Sequence, residues 1–189
     1  MTHSQHSHRR MPEEFRRQWQ NPEAILAKIG VRPGDVFADI GCGNGYFAIP
    51  AARIVGEKGT VYGIDISEEA IAELSKKAES EGLANLKLTM GDAATIVLGE
   101  AYADIVYFGT NLHDFTDPLM VLKNARLMVK PDGKLANLDF KKIRMEFGPP
   151  YEIRFNEAKA KGLIEKAGFI IESIKDIPPY SYLIIARPG

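Results

Sequence analysis

The sequence predicts an α/β fold, a doubly wound mixed sheet of seven strands that is mostly parallel and whose last strand is antiparallel. Three observations predict it. Short β-branched or apolar runs alternate with helical patterns along the chain, as parallel strands joined by crossover helices require. The first of these runs feeds a glycine-rich turn and then a helix, the arrangement of a nucleotide-binding sheet edge. The last two runs are separated only by Pro178-Pro179, which leaves room for a hairpin and nothing else.

The elements follow in order. Asn21 and Pro22 read as N-cap and first helical position, Ile25, Leu26 and Ile29 supply an apolar face, and Gly30 stops the helix. The first strand is Val36 to Ile40, followed by Gly41-Cys42-Gly43-Asn44-Gly45 and a helix from about Tyr46 to Val55, where Pro50 is tolerable only near the first turn. The second strand, Thr60 to Ile66, ends at Ser67, which can cap a helix carrying Glu68 and Glu69 in its first turn. That helix buries Ile71, Leu74 and Ala78 and ends at Gly82. A third strand, Leu86 to Met90, runs into Gly91-Asp92-Ala93, and a fourth spans Ala103 to Phe108. Asp117-Pro118 opens a helix facing inward through Leu119, Leu122 and Ala125 and closing near Lys130-Pro131. After an Asp132-Gly133 turn comes the fifth strand, Lys134 to Phe140. A loop with Gly148-Pro149-Pro150, a helix from about Asn156 to Ala167, and strands Phe169 to Ile177 and Tyr180 to Ala186 complete the chain.

Composition narrows the function classes. The chain has 189 residues, 45 % of them hydrophobic and 26 % charged, which is ordinary globular composition. Residues 1–10 read as a flexible, His-rich tail, with metal binding through His3, His6 and His8 as the lesser alternative, and 11–189 as a single domain. Lys plus Arg total 24 against 25 Asp plus Glu, so the basic excess of a nucleic-acid binder is missing. One cysteine, Cys42, excludes an internal disulfide framework and a multi-cysteine metal cluster. No apolar run reaches the roughly 18 residues needed to cross a bilayer, and the N-terminus is no signal peptide, so the expected location is cytoplasmic, without membrane attachment.

The chemistry concentrates at three strand ends. The turn reads G-x-G-x-G rather than the G-x-G-x-x-G of a dinucleotide site, and Asp39 stands two residues before its first glycine. A carboxylate there would repel a pyrophosphate and suits a cationic group such as an ammonium. Asp65, at the end of the second strand, stands where an acid can accept both hydroxyls of a ribose, and Asp92 ends the third strand. Three acids on the C-terminal edge of one open sheet describe one site.

On these residues the chain resembles the class I S-adenosylmethionine-dependent methyltransferases, from about Asn21 to Pro188. The resemblance implies S-adenosylmethionine as cofactor, S-adenosylhomocysteine as product, and the Rossmann-like methyltransferase fold. It further implies that the turn Gly41, Cys42, Gly43 and Gly45 wraps the methionine part with Asp39 near its amino group, that Asp65 binds the ribose hydroxyls, that Ile66 packs on the adenine, and that Asp92 and Ala93 meet its edge. Val129-Lys130-Pro131-Asp132-Gly133-Lys134-Leu135 matches the family's turn before the fifth strand. The branch it is most similar to is the small-molecule one containing the quinone-biosynthesis methyltransferases, partly for Gly148-Pro149-Pro150 and a helix ending Ala167-Gly168-Phe169. The Asn-Pro-Pro-Tyr motif of nucleobase-amine methylating branches is replaced by Gly109-Thr110-Asn111-Leu112-His113-Asp114, and Pro149-Pro150-Tyr151 and Pro178-Pro179-Tyr180 read as loop stiffeners. Arsenic-methylating relatives need several cysteines. Catechol-type relatives need grouped acids that only Asp114 and Asp139 could imitate, so no metal is expected.

Methyl transfer from a sulfonium is an in-line displacement that needs positioning and exclusion of water, plus a base where the acceptor bears a proton. His113, the only histidine outside the tail, follows the fourth strand and is the catalytic candidate, as base or substrate-orienting donor; a backbone-bonding loop role competes. Asn111 is expected to hold the loop or the cofactor, as is Asp114, and Asp139 to face substrate or cap a turn. Phe15, Trp19 and Tyr46 on one side and Met145, Phe147 and Tyr151 on the other are expected to close the acceptor end. The expected partner is a small-molecule acceptor, not nucleic acid, with a homodimer unsurprising. A catalytically silent S-adenosylmethionine-binding protein is the second reading, and a nicotinamide dehydrogenase, which needs the other glycine spacing, the third.

Overall fold

A computed structural model describes residues 12–189; the tail, with His3, His6 and His8, lies outside the described residues. The chain runs α1 (Glu13–Arg17), α2 (Pro22–Ile29), β1 (Val36–Ile40), α3 (Ala48–Val55), β2 (Thr60–Asp65), α4 (Glu68–Ser80), β3 (Leu86–Met90) and β4 (Ala103–Gly109). A 3-10 turn at Leu112–Asp114 then leads to α5 (Pro118–Met128), β5 (Val129–Phe140), α6 (Glu157–Lys166), β6 (Phe169–Ile177) and β7 (Ser181–Pro188).

The strands form one seven-stranded sheet in the order β3-β2-β1-β4-β5-β7-β6. β7 inserts between β5 and β6, antiparallel to both, while the other pairings are parallel. This is the predicted class, and the direction of the last strand follows from the Pro178-Pro179 hairpin. The side-chain alternation of each strand feeds two cores. Phe37, Val61, Ile105 and Leu138 pack with α2 and α3 on one face. Ala38, Ile40, Val106, Phe108 and Leu135 pack with α5 and α6 on the other. A strand buried on both faces carries near-continuous apolar sequence, and β4 and β7 do.

Local chemistry sets the helix starts. Asn21, Ser67, Asp117 and Asn156 each accept a hydrogen bond from a backbone N–H inside the first turn, capping α2, α4, α5 and α6. Gly30 ends α2 in the left-handed region at φ 89°. Three details differ from expectation. α3 begins at Ala48 because Gly45, at φ 88°, is still part of the turn, so Pro50 falls in the first helical turn. β5 begins at Val129 and not at Lys134. Its pairing with β4 jumps from Ala103↔Val129 to Ile105↔Lys134, so Pro131-Asp132-Gly133 form a bulge inside the strand rather than a turn before it. The short α1 and the 3-10 turn have too few residues to show a helical period and were not anticipated.

Candidate functional site

Reversal of strand order between β1 and β4 leaves a crevice at the C-terminal edge of the sheet, and the predicted residues gather around it. Gly41, Gly43 and Gly45 all have positive φ. At Gly41 a Cβ would stand 2.1 Å from Asn111 Nδ2, whereas at Gly43 nothing lies within 4 Å, so a ligand can approach the backbone there. Asn111 pins the turn by donating from Nδ2 to the carbonyls of Ile40 (2.6 Å) and Gly41 (3.1 Å). Its buried Oδ1 has no partner. Cys42 contributes only backbone, because its side chain turns into the core against Gly63. Burial pushes its thiol pKa up, which keeps it unreactive.

Asp65 Oδ2 accepts from the Gly43 N–H at 2.7 Å and Oδ1 from the Ser67 N–H at 2.9 Å. The carboxylate thereby ties the glycine turn to the start of α4, and each oxygen keeps a lone pair for a ligand hydroxyl. Asp39 is 2 % exposed. Burial, reinforced by the Asp65 charge and opposed by the Arg16 guanidinium, pushes it up to about 7. Ile66 leaves the strand 60 % exposed, an apolar side chain held in solvent beside Asp65. Asp92 is exposed and accepts from the Ala94 N–H, while the carbonyl of buried Ala93 accepts from Asn124.

His113 sits in the 3-10 turn after β4, where its ring reaches Asp139 near the end of β5. Nδ1 and Asp139 Oδ1 are 2.8 Å apart with both side chains buried, and the Phe140 N–H holds the same Oδ1. Nε2 has no hydrogen-bond partner, and Asp114 Oδ1 lies 3.5 Å from it. Burial alone would lower the imidazole pKa, but the hydrogen bond and charge of Asp139 outweigh it, so His113 titrates above the ordinary histidine value.

A cavity of about 420 Å³ opens at this edge. Arg16, Gly43, Asn44, Tyr46, Thr110, His113, Phe140, Gly148 and Pro149 are among the residues that line it, with the acids Glu13, Glu69, Glu73 and Asp114. Asp65, Ile66, Asp92 and Ala93 are not in its lining; they continue the edge along the ends of β2 and β3, past Ser67 and Ala70, which are. Of the aromatics expected to close the acceptor end only Tyr46 lines this cavity; Phe15, Trp19 and Phe147 pack on one another beside Phe140, outside its lining. Phe15 and Phe147 pack edge to face at 5.6 Å, and Trp19 contacts Phe140, Phe147 and Tyr180 at 5.9, 6.0 and 5.2 Å. Tyr151 does not join them; it is exposed beside Lys142 and Arg144. Sequence reasoning missed Arg16 and Arg154. Arg154 is buried and donates to the carbonyls of Pro149 (2.7 Å), Ile143 (2.7 Å) and Phe147 (3.0 Å), which fixes the wall; no motif marks either arginine.

Comparison with known proteins decides the family. A family model described as a methyltransferase domain matches residues 32–168. The chain belongs to that family. Among solved structures, an S-adenosylmethionine-dependent methyltransferase from Aquifex aeolicus superposes with a TM-score of 0.88 at 28 % identity, covering 92 % of this chain and 93 % of that one. A demethylmenaquinone methyltransferase of Geobacillus kaustophilus is 33 % identical over 125 residues, 66 % of this chain and 53 % of its own length. A nocamycin O-methyltransferase of Saccharothrix syringae is 35 % identical over 112 residues, 59 % of this chain and 40 % of its own length. The chain thus spans about half the length or less of these curated relatives.

The residues present fit S-adenosylmethionine, the cofactor named for the Aquifex aeolicus relative. An open glycine cradle at Gly43, a strand-end carboxylate with free lone pairs at Asp65, an exposed apolar side chain at Ile66 and a buried carboxyl at Asp39 suit its amino acid, ribose, adenine and ammonium parts respectively. Among the described residues no group of three or more His, Cys, Asp or Glu could hold a metal ion, and no helix is long and apolar enough to cross a membrane.

Proposed function

We propose that this protein transfers a methyl group from S-adenosylmethionine to a proton-bearing oxygen or carbon of a small, largely apolar acceptor, with His113 as general base. The observation that carries this reading is the buried His113 ring, oriented by Asp139 through Nδ1 and lining the cavity with Nε2 unpartnered. Asp139 holds the proton on Nδ1 and so leaves the Nε2 lone pair for an acceptor proton.

When bound, the cofactor supplies a methyl group already activated on a sulfonium. The chain's own residues have four tasks. Gly41, Gly43 and Gly45 admit the methionine part, with Cys42 backbone between them and Asp39 as the carboxyl for its ammonium. Asp65 accepts from the ribose hydroxyls, Ile66 covers the adenine, and Asp92 and Ala93 border it. Asn111 holds the turn in shape. Phe140, backed by Trp19 and Phe147, gives the acceptor end an apolar wall that limits water beside the base.

The relatives support the acceptor class. Relatives named demethylmenaquinone methyltransferase and nocamycin O-methyltransferase act on small molecules by name, and Tyr46 and Phe140 in the cavity lining offer ring faces to an apolar acceptor. A silent binding protein would have no use for an oriented base. The test is a methyl-transfer assay over hydroquinones, phenols, amines and thiols. Turnover of a hydroquinone or phenol, falling about 10²- to 10⁴-fold in His113→Ala, is expected. Full turnover by that variant removes His113 from the mechanism, and no turnover of any acceptor by protein that binds the cofactor favours the silent reading.

A further inference from the structure

Asn137 lies toward the C-terminal end of β5, fully buried, with neither Oδ1 nor Nδ2 hydrogen-bonded. Its neighbours in register are Phe108 on β4 and Ile184 on β7, and Leu135 precedes it on the same face of the strand. An amide in such apolar surroundings costs stability that a leucine of similar volume does not. Buried polar groups are nearly always bonded, so this one needs a partner.

Two residues further along the same face stands Asp139. All of its ties are on one oxygen: Oδ1 accepts from the Phe140 N–H and faces His113 Nδ1 at 2.8 Å, while the buried Oδ2 has no partner. Same-face neighbours on a strand are about 6.6 Å apart, and no direct hydrogen bond joins the amide of Asn137 to Oδ2 of Asp139. One water spans such a gap, accepting from the amide and donating to the carboxylate. The charged and titratable groups around Asp139 do not supply that contact. Tyr182, opposite it on β7, donates its hydroxyl to the Phe155 carbonyl, and Arg154, from the loop after β5, donates to three loop carbonyls. Asp114 lies on the Nε2 side of His113, and Tyr107 on β4 packs with Phe37 and Phe47 on the other face of the sheet.

We propose that Asn137 and Asp139 share one buried water, and that this bridge makes Asn137 a positioning residue for the His113–Asp139 pair. Through it a hydrogen bond reaches Oδ2, so both carboxylate oxygens are held and the charge on Asp139 is stabilised. Burial pushes the Asp139 pKa up, so without that bond the pair keeps its shared proton to higher pH. Asn137 thereby keeps Asp139 as acceptor of the Nδ1 proton and His113 available as a base at lower pH. The effect on methyl transfer rests on the reading of His113 as base; the bridge itself does not.

The experiment follows the Cε1–H resonance of His113 by NMR across pH in ligand-free wild type, Asn137→Leu and Asn137→Ser, the signal being identified by its loss in His113→Gln. Asn137→Leu is expected to move the midpoint upward by about one pH unit, the size of a hydrogen bond to a charged group. Asn137→Ser, which keeps a donor and leaves room for water, is expected to stay within about half a unit of wild type. An unmoved midpoint in Asn137→Leu overturns the proposal, because the amide then acts on packing alone. Should Asn137→Leu not fold, a high-resolution crystal structure of wild type decides: a water within hydrogen-bond distance of both side chains is expected, and purely apolar surroundings for Oδ2 overturn the bridge. The pH profile of kcat/KM in the same variants tests the reading of His113 separately. A profile that moves with the His113 resonance supports both, whereas a resonance that moves without the profile upholds the bridge and brings down His113 as the base.

Discussion

His113 Nδ1 and Asp139 Oδ1 stand 2.8 Å apart, joining the turn after β4 to the end of β5 in a buried pair whose other nitrogen, Nε2, is also buried and has no hydrogen-bond partner. Because Asp139 raises the imidazole pKa, the base form grows in only above the ordinary histidine value. In wild type, kcat/KM is expected to rise with pH through a midpoint above about 6.5. Asp139→Asn keeps an oxygen near Nδ1 but removes the charge. The midpoint should then move to lower pH while the plateau falls, and the KM of S-adenosylmethionine should stay put. A pH–rate profile of the two proteins with the best acceptor checks this; an unmoved midpoint would show that the titrating group is not His113.

Asp39 gives a prediction of opposite sign for stability and for binding. Its folded pKa, pushed up to about 7 by burial, exceeds the unfolded value of about 3.9, so between those values the folded state holds the extra proton. Stability of the ligand-free protein should therefore decline as pH rises from about 4 to about 7. Asp39→Asn removes that penalty and should be more stable at pH 8, by up to about 4 kcal/mol before relaxation is counted. The same variant should bind S-adenosylmethionine more weakly, since an amide offers no charge to an ammonium. Wild-type affinity should correspondingly rise with pH through about 7. Thermal unfolding and calorimetry across pH 5 to 9 measure both.

Gly41 is packed against Asn111. A Cβ there would meet Nδ2 at 2.1 Å, on a backbone already at φ 73°. Gly41→Ala should cost about 1 to 3 kcal/mol of stability and release the Asn111 clamp on the turn, lowering cofactor affinity with it. Gly43→Ala meets no such neighbour, and its stability loss should be confined to the backbone strain at φ 52°. Comparison of the two melting curves separates packing from strain.

Arg154 spends its guanidinium on three loop carbonyls, and replacing it by Met leaves them to find water. Arg154→Met should lose about 1 to 3 kcal/mol and expose the loop 141–156 to limited proteolysis. Acceptor KM should rise while cofactor affinity changes little, because Pro149 and Gly148 wall the acceptor side. A loss of cofactor binding of equal size would mean that the loop also shapes the cofactor end.

The strand ends that carry Asp39, Asp65 and Asp92 were legible in the sequence because a strand, a turn and a cap each leave a local signature: apolar runs, glycines, and Ser67 ahead of two glutamates. The hairpin was legible from Pro178-Pro179, but not the insertion of β7 between β5 and β6, which depends on pairing β5 with residues more than forty positions away. Proline and glycine at 131 and 133 announced an irregularity, and only the register with β4 shows it to be a bulge. The pairing of His113 with Asp139 joins the turn after β4 to the end of β5, and Arg16 belongs to five helical residues with no period. Contacts of that kind have no local signal, so the residues were visible as candidates or not at all, and their roles came from geometry.

The central claim is that the β1–β2 edge binds S-adenosylmethionine through its glycine turn and Asp65. It is tested most directly by calorimetric titration with S-adenosylmethionine, S-adenosylhomocysteine and NADH, alongside an Asp65→Ala variant shown to be folded. The account predicts binding of the first two, none of NADH, and loss of binding in the variant. Binding of neither sulfur ligand by folded protein freed of carried-over cofactor, or undiminished binding by the variant, would contradict it.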